Sequence, residues 1–194
     1  MEIIEINRED NRYPKQLMDL DNPPNKLYAM GNLELLKEDM FSVVGTRKIT
    51  EYGKKHCKII CKEFALRDIP LVSGLAIGTD TVVHKTALEY KGKTIAVLPS
   101  GFNKIYPSKN KKLFESIINE NGLALSEYKL DDEANSERFL ERNRIVAGLG
   151  KGILVIEALA RSGTSVTANF VFKARKNVFA IPRKYWKSSI CRYK

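Results

Sequence analysis

An α/β fold with a doubly wound, mostly parallel Rossmann-like sheet and a short N-terminal extension is predicted by three observations. Short apolar runs recur along the chain, several stop at glycine or serine, and segments of helical spacing separate them. The runs are Phe41-Ser-Val-Val-Gly45, Pro70-Leu-Val-Ser-Gly74, Thr94-Ile-Ala-Val-Leu98, Leu123-Ala-Leu-Ser126, Ile153-Leu-Val-Ile156 and Val178-Phe-Ala-Ile181. Runs this short and this apolar are buried parallel strands when helices connect them. Strict alternation with short turns then gives the doubly wound sheet.

The elements follow in order. Glu2-Ile-Ile-Glu-Ile6 reads as a short strand. Tyr13-Pro-Lys-Gln-Leu17 opens a brief helical turn, which Asp21-Asn-Pro-Pro24 stops because proline lacks a donor and restricts its predecessor. Leu27-Tyr-Ala-Met30, ending at Gly31, reads as an edge strand or extended segment. A helix over Thr50 to Leu66 places Gly53, Cys57, Ile60, Cys61 and Phe64 on one face, with Lys54, Lys55, Lys58 and Lys62 mostly off it. Further helices are expected over Thr79 to Tyr90, over 110–120 with Gly122 as the stop, over Ser136 to Leu149 behind an Asn135 or Ser136 cap, and over 164–174. The domain plan is an extension over 1–40 packed on a Rossmann-like domain over 41–182, then a basic, aromatic tail over 183–194.

Composition narrows the partners. The 194 residues carry 33 Lys and Arg against 23 Asp and Glu, a net charge of +10. Such an excess suits a polyanion or an acidic membrane surface, and also simple solubility. No run approaches the ~18 apolar residues of a membrane span. Three cysteines, Cys57, Cys61 and Cys191, with a start unlike a signal peptide, point to reduced thiols in the cytoplasm.

Several chemistries find no support. Gly148-Leu-Gly150-Lys-Gly152 resembles a dinucleotide fingerprint but ends a helix and precedes a strand, the reverse of what that motif needs. There is no P-loop and no nucleophile elbow. His56, Cys57, Cys61, His84 and Cys191 make no paired metal-ligand spacing, so no metal and no cofactor are expected.

The strand-end turns carry more. Gly45-Thr46-Arg47 and Ser73-Gly74-Leu-Ala-Ile-Gly78-Thr-Asp80 allow close backbone approach and amide donors for an anion, and Arg47 adds a planar cation. The plainer reading is that these glycines only make tight turns. His84, one helical turn after Asp80, reads as a structural histidine bracing the turn. Arg142, Asn143 and Arg144 lie about 100° apart in succession on a helix, so they cannot all point outward. At least one must approach the carboxyl edge of the sheet or a neighbouring loop. Arg161-Ser162-Gly163-Thr164 is a third glycine turn opening a helix.

Taken together, these residues resemble the DNA-processing protein A family (DprA, also called Smf). The likeness runs through Tyr13-Pro14, Pro23-Pro24, Leu27-Tyr28, Val44-Gly-Thr-Arg47, Tyr52-Gly53 and the Ser73 to Asp80 turn with His84. It continues through Tyr106-Pro107, Ser126-Glu-Tyr128, Phe139 with Arg142-Asn-Arg144, Glu157-Ala158, Ser162-Gly-Thr164 and Thr167-Ala168. The resemblance implies a cytoplasmic, non-enzymatic single-stranded-DNA binder. It also implies a homodimer that protects incoming DNA in natural transformation and loads RecA recombinase. Carried over residue by residue, the DNA site is Gly45, Thr46, Arg47, Ser73, Gly74, Gly78, Arg142, Asn143, Arg144, Ser162, Gly163 and Thr164. Lys104 and Lys109, cations flanking Tyr106-Pro107, join that set on their own position. The resemblance also implies sheet beyond the last strand and often a further domain. Here Pro182 is followed only by the basic tail, which bears on dimer and RecA contacts more than on DNA. Two alternatives stay open: a small-nucleotide sensor, and a phosphoribohydrolase. The hydrolase pattern needs a glutamate where Thr167 stands.

Overall fold

The computed structural model describes residues 2–158 and 176–182. Strands β1 (Ile3–Asn7) and β2 (Lys26–Gly31) precede β3 (Phe41–Val44), β4 (Leu71–Ser73), β5 (Thr94–Leu98), β6 (Leu123–Ser126), β7 (Gly152–Val155) and β8 (Asn177–Ala180). Helices α1 (Glu51–Leu66), α2 (Thr79–Glu89), α3 (Lys111–Asn119) and α4 (Ser136–Leu149) alternate with β3 to β7. Short 3-10 turns occupy Lys15–Asp19, Leu33–Lys37 and Ser108–Asn110. The expected helix over 164–174 and the tail over 183–194 lie outside the described residues.

One sheet holds the strands in the order β1-β2-β6-β5-β4-β3-β7-β8. From β3 the chain steps outward through β4, β5 and β6, then returns to the other side of β3 with β7 and β8. That reversal makes a topological switch point between β3 and β7, where such sheets open a crevice at their carboxyl edge. Every neighbouring pair from β6 to β8 is parallel. The sheet is mostly parallel, as expected.

The start of the chain differs in one respect. β2 is not an edge strand: it lies between β1 and β6, antiparallel to both, with Tyr28 opposite Ser126 and Ile4 opposite Ala29. A hairpin added antiparallel to a parallel sheet leaves no strand-helix-strand signature, and β6 lies far along the chain, so local reading misses the pairing.

Side chains alternate across the sheet. Val44, Val72, Ile95, Val97, Leu123, Leu125 and Ile153 face α4, whose Ile145, Val146 and Leu149 meet Leu17, Leu20 and Leu35 of the first forty residues. Val43, Leu71 and Leu154 face the opposite way, onto Cys57 and Cys61 of α1 and Val83 and Ala87 of α2. Ala96, Leu98 and Ala124 face Leu113, Phe114 and Ile117 of α3. Helices therefore cover both faces.

Local chemistry sets the boundaries. Asn135 is the cap of α4, its side chain accepting from the Arg138 amide at 2.9 Å. At the end of α3 the left-handed residue is Asn121 (φ 65°), while the Gly122 amide returns to the Ile117 carbonyl at 2.8 Å.

Candidate nucleic-acid interface

The turns after β3 and β4 interlock at the carboxyl edge. Gly78 caps α2 with φ 84°, and a Cβ there would sit 2.5 Å from the Thr46 carbonyl oxygen. A Cβ on Gly45 would sit 2.4 Å from Thr79 Oγ1. The Thr79 amide and hydroxyl both donate to the Thr46 carbonyl, at 3.2 and 3.1 Å. These glycines let two turns pack directly on one another.

Some of their amides are committed inside the protein. Thr46 donates to the Glu157 carbonyl at 2.8 Å, Lys48 to Thr46 Oγ1 at 3.1 Å, and Ala76 to Asp80 Oδ2 at 3.2 Å. At the start of α1, the Thr50 amide and hydroxyl donate to the two Glu157 carboxylate oxygens at 2.9 and 2.6 Å. A carboxylate of the chain itself thus caps this helix start. Glu157, at the end of β7, was not singled out as a site residue because its partner lies more than a hundred residues earlier.

Beneath the turns lies a buried polar layer. Arg142, only 4% exposed, donates through Nη1 to the carbonyls of Gly74 and Val97 at the ends of β4 and β5. A Cβ on Gly74 would meet the guanidinium carbon at 2.6 Å, so glycine makes room for it. Burial draws the Arg142 guanidinium down to about 10, against the raising effect of Asp80. Burial likewise holds the Asp80 carboxyl above the usual carboxylate range, with Arg142 opposing that rise. Ser73 is fully buried and donates to the Val43 carbonyl at 2.7 Å.

His84 is a buried, hydrogen-bonded structural histidine, but its bond ties α2 to the starts of β4 and β5 rather than to the turn the sequence suggested it braces. Thr94 Oγ1 donates to the Leu71 carbonyl at 3.0 Å, so at 2.8 Å it accepts from His84 Nδ1, which fixes the tautomer. Burial first, and the Arg142 charge second, push the imidazole down to about 3. His84 therefore stays neutral.

Of the α4 trio, Arg142 and Asn143 reach the cleft, and Asn143 Oδ1 accepts from Arg142 Nε at 3.3 Å. Arg144 turns away and donates through Nη2 to both Glu127 oxygens at 2.8 and 2.7 Å. The three do not share one outward face, as helical spacing requires, and Arg144 lies outside the cleft lining although it was expected in the site.

Above this floor opens a cleft of about 800 Å³, walled by the β3 and β4 turns and the first turns of α4. One of its exposed cations is Arg47, whose guanidinium carbon lies 4.7 Å from the centre of the Phe139 ring. Tyr106 meets Phe139 edge-on at 5.4 Å and 75°, and is itself about half exposed. Arg47, Phe139 and Tyr106 form a cation–aromatic platform of the kind on which bases stack. Lys48 is exposed beside it. Lys104 lies 3.6 Å from Glu133, and Lys109 is exposed on the 3-10 turn after Pro107, both outside the cleft lining. Ser162, Gly163 and Thr164 lie outside the described residues. Phe139 and Tyr106 were not among the predicted site residues, since one lies on a helix and the other in a loop and only the fold brings them together.

Comparison with known proteins decides the family. The model of DNA recombination-mediator protein A matches residues 5–191. The chain belongs to that family. Among recombination-mediator relatives, Protein Smf of Escherichia coli is 40% identical over 170 residues, covering 88% of this chain and 46% of the relative. DNA processing protein DprA of Streptococcus pneumoniae is 40% identical over 173 residues, covering 89% and 61%. The chain spans about half the length of the curated relatives it matches. The crystal structure of the Streptococcus pneumoniae protein superposes with a TM-score of 0.89 at 36% identity, over 95% of this chain and 64% of that one. The Helicobacter pylori protein, solved for its single-stranded DNA binding mode, superposes with a TM-score of 0.86 at 32% identity, over 95% and 82%. Among the described residues, no helix is long and apolar enough to cross a membrane.

Proposed function

We propose that this chain binds single-stranded DNA in the cleft at the carboxyl edge of its sheet. The observation that carries the reading is the Arg47–Phe139–Tyr106 platform, with Arg47 and Tyr106 exposed and Phe139 half-buried, beside Lys48. Ring faces stack on any base and cations take phosphates, so recognition tolerates sequence. The likeness to the Helicobacter pylori single-stranded-DNA binder supports this ligand. The role is binding rather than catalysis: Asp80 and Arg142 are buried and serve the turns, and His84 is buried against Thr94. In the cell the chain handles incoming DNA in natural transformation and passes it to RecA recombinase in the cytoplasm, working as a homodimer. The family's description as a recombination mediator supports that handover.

Fluorescence anisotropy of a labelled single strand across a salt series tests the reading, with duplex and AMP as competitors. Tight binding should weaken steeply with salt and resist both competitors. Arg47→Ala should reduce affinity by about 1–3 kcal/mol, roughly 5- to 150-fold, with unchanged thermal unfolding. Displacement by AMP with a flat salt response would make the cleft a nucleotide pocket instead.

A further inference from the structure

Helix α1 carries an uneven charge that the cleft does not use. From Tyr52 to Lys62 it holds Lys54, Lys55, Lys58 and Lys62 and no acidic residue. The other surface helices mix signs, with Glu115 near Lys111 and Lys112 on α3, and Glu137 and Glu141 around Arg138 on α4. Lys55 and Lys58 are exposed and Lys62 is half-buried, its ammonium 5.0 Å over the Tyr90 ring. Among the described residues neither Lys55 nor Lys58 makes an ion pair, Lys62 acts on the neighbouring Glu63 carboxylate by charge alone, and Lys54 lies 3.7 Å from Glu51.

At 100° per residue, Lys55, Lys58 and Lys62 fall within about 60° of one another and span about 10 Å of the axis. They lie away from the Gly53, Cys57 and Cys61 face that packs on the sheet. The ridge also starts at the cleft. Thr50, which caps α1, is tied to Glu157, and Lys48 beside it lines the cleft. A row of ammonium groups held in no ion pair, leading out of the proposed binding groove, complements a phosphate backbone.

We propose that the α1 lysine ridge is a second contact track for single-stranded DNA, taking phosphates of the strand where it leaves the cleft past Lys48. The proposal rests on the DNA-binding reading of the cleft. It makes the site longer than the cleft and adds contacts that depend on charge alone.

The test compares a short oligothymidylate, sized to the cleft, with one several times longer. Both are titrated over a salt series against the parent chain and the triple variant Lys55→Gln/Lys58→Gln/Lys62→Gln. Each phosphate contact contributes about 0.7 to the slope of log affinity against log salt for single strands. The variant should lose about 2 from the slope of the long oligomer and bind the short one like the parent. Matching thermal unfolding of the two proteins confirms that the fold is intact. A long-oligomer slope equal to the parent's overturns the track. So does an equal loss on both oligomers, which would mark a diffuse field rather than contacts. If the parent itself binds neither oligomer, the cleft reading fails and takes the ridge with it, an outcome seen without any variant.

Discussion

Phe139 and Arg142 sit three residues apart on α4 and do opposite jobs. Phe139 is half-buried, with Arg47 over its ring and Tyr106 at its edge, and under the proposed function its remaining exposed surface would meet a base. Phe139→Ala should weaken single-strand binding by about 1–3 kcal/mol, the stacking value for one base, while Phe139→Trp keeps most of it. Thermal unfolding of both variants should stay close to the parent's. Arg142 is enclosed, and its guanidinium serves the carbonyls of Gly74 and Val97. Arg142→Ala leaves two buried acceptors unmet, at about 1–3 kcal/mol each, and removes the charge that faces Asp80. Urea unfolding should show that loss before any binding assay is interpretable. A variant of full stability that fails to bind would instead make Arg142 a DNA contact.

At the scale of elements, α2 links the turn to the core and gives the fold a pH signature. His84 stays neutral down to about 3 in the folded chain, whereas the unfolded chain takes up the proton near the ordinary 6.5. The unfolded state therefore binds more protons between those values, and stability falls as pH drops through that window. One such proton gives a slope of about 1.4 kcal/mol per pH unit. Asp80, held above the usual carboxylate range, acts in the opposite sense at the acid end, where the fold keeps a proton that the unfolded chain releases. His84→Gln should flatten the dependence between about pH 4 and 6.5 in urea melts. An unchanged slope would assign it to another group. These elements were largely legible in the sequence, because glycine-ended apolar runs and helical spacing are local signals. The site was legible only where its logic was local: Arg47 stands beside its glycine, and Asn143 follows from helical geometry. Glu157 was hidden because Thr50 reaches it only through the β3–β7 pairing. The burial of Arg142 was hidden because its helix reads as charged throughout that turn.

For the whole molecule, the decisive feature is how the first forty residues join the sheet. Ile6, Leu17, Leu27 and Leu35 are fully buried in the same cluster as Ile145 and Val146 of α4. The Tyr13 hydroxyl closes this layer by donating to the Pro24 carbonyl at 2.7 Å. β2 also covers the edge of β6, which would otherwise present unpaired backbone groups. Truncating even one buried leucine costs about 2–5 kcal/mol. A domain has only about 5–15 kcal/mol in all. We expect a chain starting at Phe41 to lose the cooperative fold: no sharp transition in urea, and aggregation through the bared β6 edge. Circular dichroism through a urea titration of the two lengths checks this. The slope of the transition reports the surface that unfolding exposes. A shortened chain that unfolds sharply would make the extension a separable cover. The expected loss makes β1 and β2 part of the platform that holds α4, and with it Phe139, against the cleft.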